Sequence, residues 1–184
     1  MSGQQRARLY FEENVVRRKE KAVQEIEISE IIRKCQVCRL ALSQDDKPYI
    51  VPVSFGYDGS SLYFHSARTG KKIDILSVNN NVCFEFESEV TLLHDETSPC
   101  NWSFSFKSVI GFGKVEKLST AEDKMRGLNH IMRQYSDRTW DFKTISLSGL
   151  SVWKITIESM TGKQSPPPTD NGRQFDEQLK TSSG

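Results

Sequence analysis

The sequence has no long apolar run, and this excludes a membrane-spanning helix, which needs about 20 such residues. The first two dozen residues mix Arg, Glu, Lys and Gln, so we expect no signal peptide there. The net charge is only +1, and no sheet-like stretch interleaves basic and aromatic residues, so nucleic acid and anionic membranes are not expected partners. We therefore expect a cytoplasmic protein that recognises any anion through a local site.

Cysteine and histidine are also scarce, with four and three residues. Cys35 and Cys38 have the C-x-x-C spacing, but a zinc site needs two further ligands and a redox site needs a helix start after the first cysteine. The predicted helix instead ends at Cys35, so we interpret the pair as packing residues. The histidines show no metal spacing, and no Gly-x-Ser-x-Gly motif supports hydrolytic chemistry.

A chain of 184 residues is long enough for one well-formed domain but short for two. The polar stretch 1–25 predicts an N-terminal arm, and 26–163 predicts the domain. Three consecutive prolines, Pro166–Pro168, lie in a polar C-terminal stretch that is typical of disorder, so 164–184 is predicted to be a tail.

Hydrophobic periodicity within the domain predicts mostly strands. Helical spacing predicts helices near 28–36, after Gly70 and at 119–136, the last one opened by a capping box of Ser119 and Glu122. Alternation predicts strands at 37–42, 48–57, 61–66, 82–87, 103–116 and 153–158, with 88–101 irregular. Pro52 predicts an edge or bulged strand, and the glycines in the fifth strand predict a sharp bend or the close approach of another backbone, as at a barrel corner. The fold class is therefore mainly β with flanking helices.

The stretch Phe64–Lys72 joins a strand to a helix and sets two lysines at the helix start. A helix begins with unpaired N–H donors and a partial positive charge, which disfavours cations there by ~0.3–1 kcal/mol each. An anion would remove this conflict, so a phosphate bound by the first amides, Ser66 and a lysine is one interpretation. Ordinary solvated lysines are the other, and this feature alone does not decide between them.

Three further features are consistent with a binding site. Arg39 shares a strand face with small apolar residues, which fits either an anion ligand or a salt-bridged structural arginine. The backbone groups beside Pro52, with the Ser54 hydroxyl, could pair with the edge of a planar heterocycle, or could face water. His65 ends a strand beside the predicted phosphate turn, in a structural or a catalytic role.

Several local strings, in their order and spacing, resemble the pyridoxamine phosphate oxidase-like split-barrel flavoproteins, and among them the nitroimidazole-resistance-protein branch. The resemblance covers roughly 16–163 and rests on Val37–Leu42, Pro48–Phe55, Phe64–Ala67, Gly70–Asp74, Cys100–Trp102 and Ser108–Gly113. It implies a six-stranded antiparallel split β-barrel that forms a homodimer with FMN at the interface.

The resemblance also implies which residues bind the cofactor. Edge-strand residues would pair with the flavin ring, the strand-to-helix turn would surround the phosphate, and the long fifth strand would approach from either subunit. The cofactor-binding residues expected on this basis are Arg39, Val51, Pro52, Val53, Ser54, His65, Ser66, Ala67, Gly70, Lys71, Lys72, Trp102, Lys107 and Ser108. Phe106 departs from the branch, which often has tyrosine there, and the substrate residues of true pyridoxamine phosphate oxidases are not evident.

We therefore expect an FMN-dependent oxidoreductase that passes electrons from NADH, NADPH or another donor to a small acceptor, such as a nitroaromatic. His65 is the candidate proton donor or acceptor-orienting group. Since no second catalytic group is evident, a flavin-binding module for storage, sensing or electron transfer is the alternative. Haem or a deazaflavin in the same barrel is a third interpretation.

Overall fold

The computed structural model describes residues 21–138, 140–142 and 149–166. Most of the predicted N-terminal arm, almost all of the predicted tail and the end of a predicted helical piece at 140–145 lie outside these residues. The described part contains three α-helices, α1 (Glu25–Lys34), α2 (Lys71–Val78) and α3 (Ala121–Tyr135), with a short 3-10 helix, Pro99–Asn101. Its seven strands are β1 (Cys38–Gln44), β2 (Lys47–Val53), β3 (Phe55–Tyr57), β4 (Ser61–Ala67), β5 (Asn81–Leu93), β6 (Ser103–Lys117) and β7 (Leu150–Ser165).

The strands form one antiparallel sheet in the order β2-β1-β5-β6-β7-β4-β3. The two edge strands, β2 and β3, are separated in the chain by Ser54 alone. In a flat sheet six strand spacings would place these edges about 29 Å apart, a gap that one residue of about 3.5 Å cannot span. The sheet must therefore curl until its edges meet, which gives a barrel with a seam at Ser54.

This arrangement confirms the predicted split barrel and explains its strand count. The alternating segment 48–57 is divided at Ser54 into β2 and β3, so seven strands arise where the resemblance implies six. The alternation of apolar and polar residues indicates which face of the sheet each side chain occupies, and this alternation continues from β2 into β3 across Ser54. It carries no information about pairing partners, which change from β1 to β4 at this point.

The barrel interior is filled by aromatic and branched side chains. Phe55, Phe64, Phe84 and Phe86 are fully buried, and the rings of Phe55 and Phe86 lie 4.7 Å apart. α1 and α2 contribute isoleucines and Leu76 to this core. A second, smaller cluster lies between α3 and the outer face of β4 and β7, and it contains Tyr63, Leu128, Ile131 and Val152.

The glycines of β6 allow close packing, as predicted. A Cβ at Gly111 would overlap the Phe84 ring, and one at Gly113 would overlap the carbonyl oxygen of Thr156. The pairing of β6 with β7 also shifts register between Phe112 and Gly113. These observations confirm the predicted close approach and irregularity of this strand.

Two local predictions were wrong. β5 continues to Leu93 across an irregularity between Ser88 and Thr91, where Glu89 has φ 55°, so much of 88–101 is strand. The alternation is lost there because the register shift changes which residues face inward. In addition, the end of the β5–β6 hairpin, 88–108, which we call the arm, is largely exposed. α3 is capped by Thr120, whose hydroxyl accepts the N–H of Asp123 at 3.0 Å, and not by the predicted box one residue earlier.

Candidate functional site

β2 and β4 diverge at the seam, and we call the gap between them the cleft. The pairing of β3 with β4 ends at Phe55 and Phe64. Before Ser54 in the chain, β2 pairs with β1 and not with β4. In that pairing Val53 faces Cys38. One wall of the cleft is therefore the end of β2, and the other is the end of β4. The predicted residues Val51, Pro52, Val53, Ser54, His65, Ser66 and Ala67 lie on these two walls.

The wall formed by β2 is an edge, as Pro52 predicted. β2 pairs with β1 on one side, and no described strand pairs with its other side. Pro52 and Ser54 are exposed, whereas Val51 is half-buried and Val53 buried. Backbone groups on the open side of this strand are available to a flat ligand, and Pro52 has no N–H to place there.

The end of the cleft is closed by the start of α2. Gly70 is the N-cap with φ 122°, a conformation that favours glycine, and its carbonyl accepts the N–H groups of Ile73 and Asp74. Lys71 and Lys72 are the first two helical residues, as predicted. Their own N–H groups precede the first helical hydrogen bond, so they are free for an anion.

The two lysine side chains join the helix start to the two walls. The Lys71 Nζ lies 4.7 Å from the ring centroid of Tyr49 in β2, and the Lys72 Nζ lies 5.3 Å from that of Phe64 in β4. Among the described residues, neither ammonium has a carboxylate within ion-pair distance. Burial lowers the pKa of Lys72. A bound anion would therefore offset an unfavourable desolvation at this place.

The Ser66 hydroxyl is already engaged in hydrogen bonds within the chain. It is buried, donates to the Ala67 carbonyl at 2.8 Å and accepts the Trp153 indole N–H at 2.9 Å. These bonds fix the end of β4 against β7. The hydroxyl can donate to a phosphate only if its bond to Ala67 opens, so this role stays a prediction.

His65 lies on the opposite face of β4 from Ser66 and is exposed. The surrounding protein still desolvates its imidazole, which lowers the pKa of His65, and the charge of Lys72 acts in the same direction. The neutral imidazole is therefore favoured near neutral pH. At the mouth of the cleft such a group can accept a proton or donate a hydrogen bond.

Arg39 faces both Pro52 and Glu85 across the sheet. Its guanidinium forms an ion pair with Glu85, with Nη1 2.8 Å from Oε2. This is the salt-bridged arrangement that the sequence left open. Contact with a ligand anion would require the pair to loosen.

The remaining predicted residues, Trp102, Lys107 and Ser108, lie on or just before β6, which is not next to either wall of the cleft. From the β2 wall, the strand register runs from Pro52 through Arg39 and Glu85 to Ile110 in β6. Ile110 is therefore three strand spacings, about 14 Å, from Pro52, and Ser108 lies two residues before it. The Lys107 ammonium is also 3.0 Å from the carboxylate of Glu89.

Trp102 precedes β6 at the same far end. Half of its surface is exposed (52%), and its indole N–H donates to the Asp95 carbonyl at 2.8 Å. The Asp95 carboxylate in turn accepts the N–H groups of Thr97 and Ser98 and the amide of Asn101. These bonds hold the Trp102 indole in one exposed orientation. Nothing in the sequence predicted that Asp95 would hold it.

Sequence reasoning also missed the residues that form the seam. The phenol of Tyr135, at the end of α3, lies 2.9 Å from both the Phe55 nitrogen and the Gln36 carbonyl oxygen. Tyr135 lies within the segment 119–136 that helical spacing predicts as a helix, and that spacing gives its phenol no role. The pairing of a helix end with a strand break cannot be read from periodicity.

The two cysteines with C-x-x-C spacing are both buried and carry free thiols. Burial raises the pKa of the Cys38 thiol far above its ordinary value, which suits a packing residue. The described residues contain no group of three or more histidine, cysteine or acidic side chains arranged to hold a metal ion. Nor does any helix among them have the length and apolar content needed to cross a membrane.

A model of the pyridoxamine 5'-phosphate oxidase family matches residues 24–164, which is most of the chain. The chain belongs to this family. A solved structure of a candidate 5-nitroimidazole antibiotic resistance protein from Bacteroides thetaiotaomicron is 32% identical, with a TM-score of 0.69 over 78% of this chain and 86% of the other. Both levels of the resemblance seen in the sequence are thereby confirmed.

More distant structures share the fold of this family member. The FAD and haem binding protein from Mycobacterium smegmatis is 16% identical, with a TM-score of 0.71 over 90% of this chain and 81% of the other. A curated relative, an uncharacterised protein of Rhizobium meliloti (strain 1021), is 29% identical over 92 residues. That match spans 50% of this chain and about half (53%) of the relative.

Proposed function

We propose that this protein binds FMN in the cleft at the seam and passes electrons from NADH, NADPH or another reduced donor to a small acceptor such as a nitroaromatic. The observation that carries the proposal is the cleft itself. Within the part of the chain that the structure describes, one wall is an unpaired strand edge, and the closed end has two lysines without carboxylate partners and free helix-start amides. A planar ring with a phosphate tail matches this distribution of groups.

The comparisons support the same class of ligand and acceptor. A structure from Mesorhizobium loti with a TM-score of 0.58 is that of an FAD-binding protein, and the Bacteroides thetaiotaomicron relative is assigned to 5-nitroimidazole resistance. FMN is preferred here because the cleft offers one cluster of cationic and amide groups, at the start of α2.

Each part of the cleft then has a role. The strand edge Val51–Ser54 would orient the ring, and the Lys71 and Lys72 ammonium groups with their amides would hold the phosphate. When bound, the flavin supplies the redox chemistry, and the protein supplies orientation and electrostatics. We assign proton transfer or acceptor orientation to the neutral imidazole of His65. Replacing His65 with alanine is expected to lower acceptor reduction while FMN stays bound.

We also propose that the protein works as a homodimer in which each cleft is completed by the partner. Trp102, Lys107 and Ser108 lie on or just before β6, which three strand spacings separate from the β2 wall of the cleft in their own chain. The arm that carries them has an apolar face, in which Leu92 pairs with Phe104 and Val90 and Trp102 lie nearby, all about half exposed. Such a surface is typical of a site that a second chain covers.

The absorption spectrum of the purified protein, with identification of the released cofactor, tests the proposal directly. We expect flavin bands and released FMN, and bleaching of these bands by NADH or NADPH without oxygen, followed by recovery on addition of a nitroaromatic. Flavin that neither nicotinamide bleaches would instead favour the binding module. A Soret band without flavin bands would contradict FMN and indicate haem.

A further inference from the structure

The two walls of the cleft meet at Ser54 and Phe55, which we call the vertex. The side chain that fixes the vertex is Tyr135, the last residue of α3. Its phenol oxygen accepts the N–H of Phe55 at 2.9 Å and donates to the carbonyl of Gln36 at 2.9 Å. Phe55 is the first residue of β3 and follows the seam directly. The phenol therefore ties the barrel seam to the linker between α1 and β1.

The neighbouring side chain strengthens this connection. The Gln134 amide donates to the carbonyl oxygens of Arg33 at 3.0 Å and Cys35 at 2.9 Å, at the end of α1, where carbonyl groups lack helical partners. The rings of Tyr135 and Phe55 also meet edge to face, 6.3 Å apart. The last turn of α3 thus holds both the linker and the seam, and it approaches Ser54 from outside the barrel.

The hydrogen bond to Phe55 bears directly on the shape of the cleft. Phe55 and Phe64 form the last pair before β2 and β4 diverge. The Asp58 N–H donates to the Ser61 carbonyl, and hydrogen-bonded pairs alternate along the hairpin, so Phe55 faces Phe64 in a non-hydrogen-bonded pair and its N–H points away from β4. The phenol takes this outward N–H and holds the start of β3 to the linker before β1, at the point where the chain leaves β4.

Burial raises the pKa of Tyr135, whereas the Phe55 N–H and the nearby Ser54 hydroxyl act in the opposite direction. The phenol therefore stays protonated at neutral pH and keeps its donated bond to Gln36. The Ser54 hydroxyl, predicted to contact the flavin, lies against the same oxygen. The Tyr135 phenol thus positions both the start of β3 and the Ser54 side chain next to it.

We propose that Tyr135 is a positioning residue that sets the width of the flavin cleft by clamping its vertex. This role rests on the proposed function, because it concerns the same cleft. It differs from the role of the lysines in one measurable respect. A residue that shapes the ring-binding edge acts on FMN and riboflavin alike, whereas a residue that binds the phosphate acts on FMN alone.

The test is Tyr135→Phe, which removes the phenol oxygen and keeps the ring. We expect FMN and riboflavin to bind the variant more weakly by the same factor, roughly three- to tenfold, the effect of one hydrogen bond. The visible absorption band of the bound flavin should shift, because backbone contacts to the ring change. In the flavin-free protein, the Phe55 amide should exchange its hydrogen faster, which is a readout independent of any ligand.

Tyr57→Phe is the matched control. Tyr57 lies two residues further along β3, and its phenol donates to the Gly59 carbonyl at 3.0 Å, at the far end of the hairpin. This variant should keep wild-type affinities and spectrum. Unchanged affinity, spectrum and Phe55 exchange in Tyr135→Phe would overturn the clamp alone, as would equal changes in both variants. If the wild-type protein takes up neither flavin, the proposed function falls, and the role of Tyr135 in it falls too.

Discussion

Lys72 combines two properties that a purely structural lysine does not need. It is half-buried, so its charge is desolvated and its pKa lowered, and it packs on the Phe64 ring at the start of a helix, where the backbone disfavours a cation. Lys71 repeats the second property from the side of β2. A phosphate at this point would pair with both ammonium groups and would reverse the helix-end penalty.

The double replacement Lys71→Gln and Lys72→Gln tests this pairing. We expect FMN to bind at least about tenfold more weakly, since hydrogen bonds to charged groups contribute ~1.5–3 kcal/mol. The loss should shrink as salt is added, because salt already screens the attraction in the wild type. Riboflavin, which lacks the phosphate, should bind both proteins equally in a fluorescence titration. Lys47→Gln, at the exposed β1–β2 turn, is the control, and equal losses for both flavins would contradict the assignment.

The two histidines His65 and His130 give a pH dependence whose sign follows from their environments. Burial lowers the pKa of each below the ordinary 6.5, aided at His65 by Lys72 and opposed at His130 by Asp58. The unfolded chain therefore takes up protons first as the pH falls. Stability is fully present above pH 6.5 and is lost as the pH falls through the folded pKa values.

We accordingly expect the free energy of unfolding in urea to decrease between about pH 7.5 and pH 5.5, above the range where most carboxylates titrate. His65→Gln and His130→Gln should each make this decrease smaller. A steeper pH dependence in either variant would show that the sign is wrong.

At the level of elements, the sequence predicted the strands and turns whose chemistry is local. The two-residue turn Asp45-Asp46 has both φ angles positive, 50° and 58°, as the tight hairpin between β1 and β2 requires. The carboxylate of Asp58 accepts the N–H groups of Ser60 and Ser61 and so sets the β3–β4 turn. Likewise, Pro52 predicted an edge strand and Gly70 predicted a helix start. Both predictions held because the backbone restrictions of proline and glycine act within a few residues.

What the sequence could not predict depends on contacts between distant elements. The seam at Ser54 is invisible to periodicity, and its Tyr135 partner lies about 80 residues away. The ion pair of Arg39 with Glu85 and the engaged hydroxyl of Ser66 depend on strand register, which alternation does not fix. For this reason the partners that these side chains have within the chain could not be predicted from the sequence.

β6 offers a stability test of the close packing inside the barrel. In Gly111→Ala the new methyl would overlap the Phe84 ring and approach the Met160 Cβ at 2.9 Å, and the ring has no free space because it is fully buried. We expect a loss of about 1–3 kcal/mol in the free energy of unfolding. Gly149→Ala, with nothing within 4 Å of the new Cβ, should change it by less than about 0.5 kcal/mol. Equal effects in a urea titration would argue against close approach at Gly111.

At the level of the whole molecule, the barrel has a filled interior, and the residues proposed to contact the flavin lie in two places on its surface. The cleft with the lysines lies beside the seam, whereas Trp102 and Lys107 lie at the far end of β6. Within a single chain, β1 and β5 lie between the β2 wall and β6. The proposed dimer would bring both sets of groups to one flavin by packing the arm of each chain against the cleft of the other.

The dimer prediction follows from this separation. Leu92→Ser with Phe104→Ser removes two half-exposed apolar side chains from the arm, so the stability of the isolated fold should change little. We expect the variant to become monomeric by light scattering and to lose most of its bound flavin, because each cleft would lack the partner's contribution. Ile26→Ser, at an exposed position of α1, should stay dimeric and loaded. A wild-type monomer that retains FMN would contradict the shared cleft, and the groups at the far end of β6 would then need a role other than contact with the flavin.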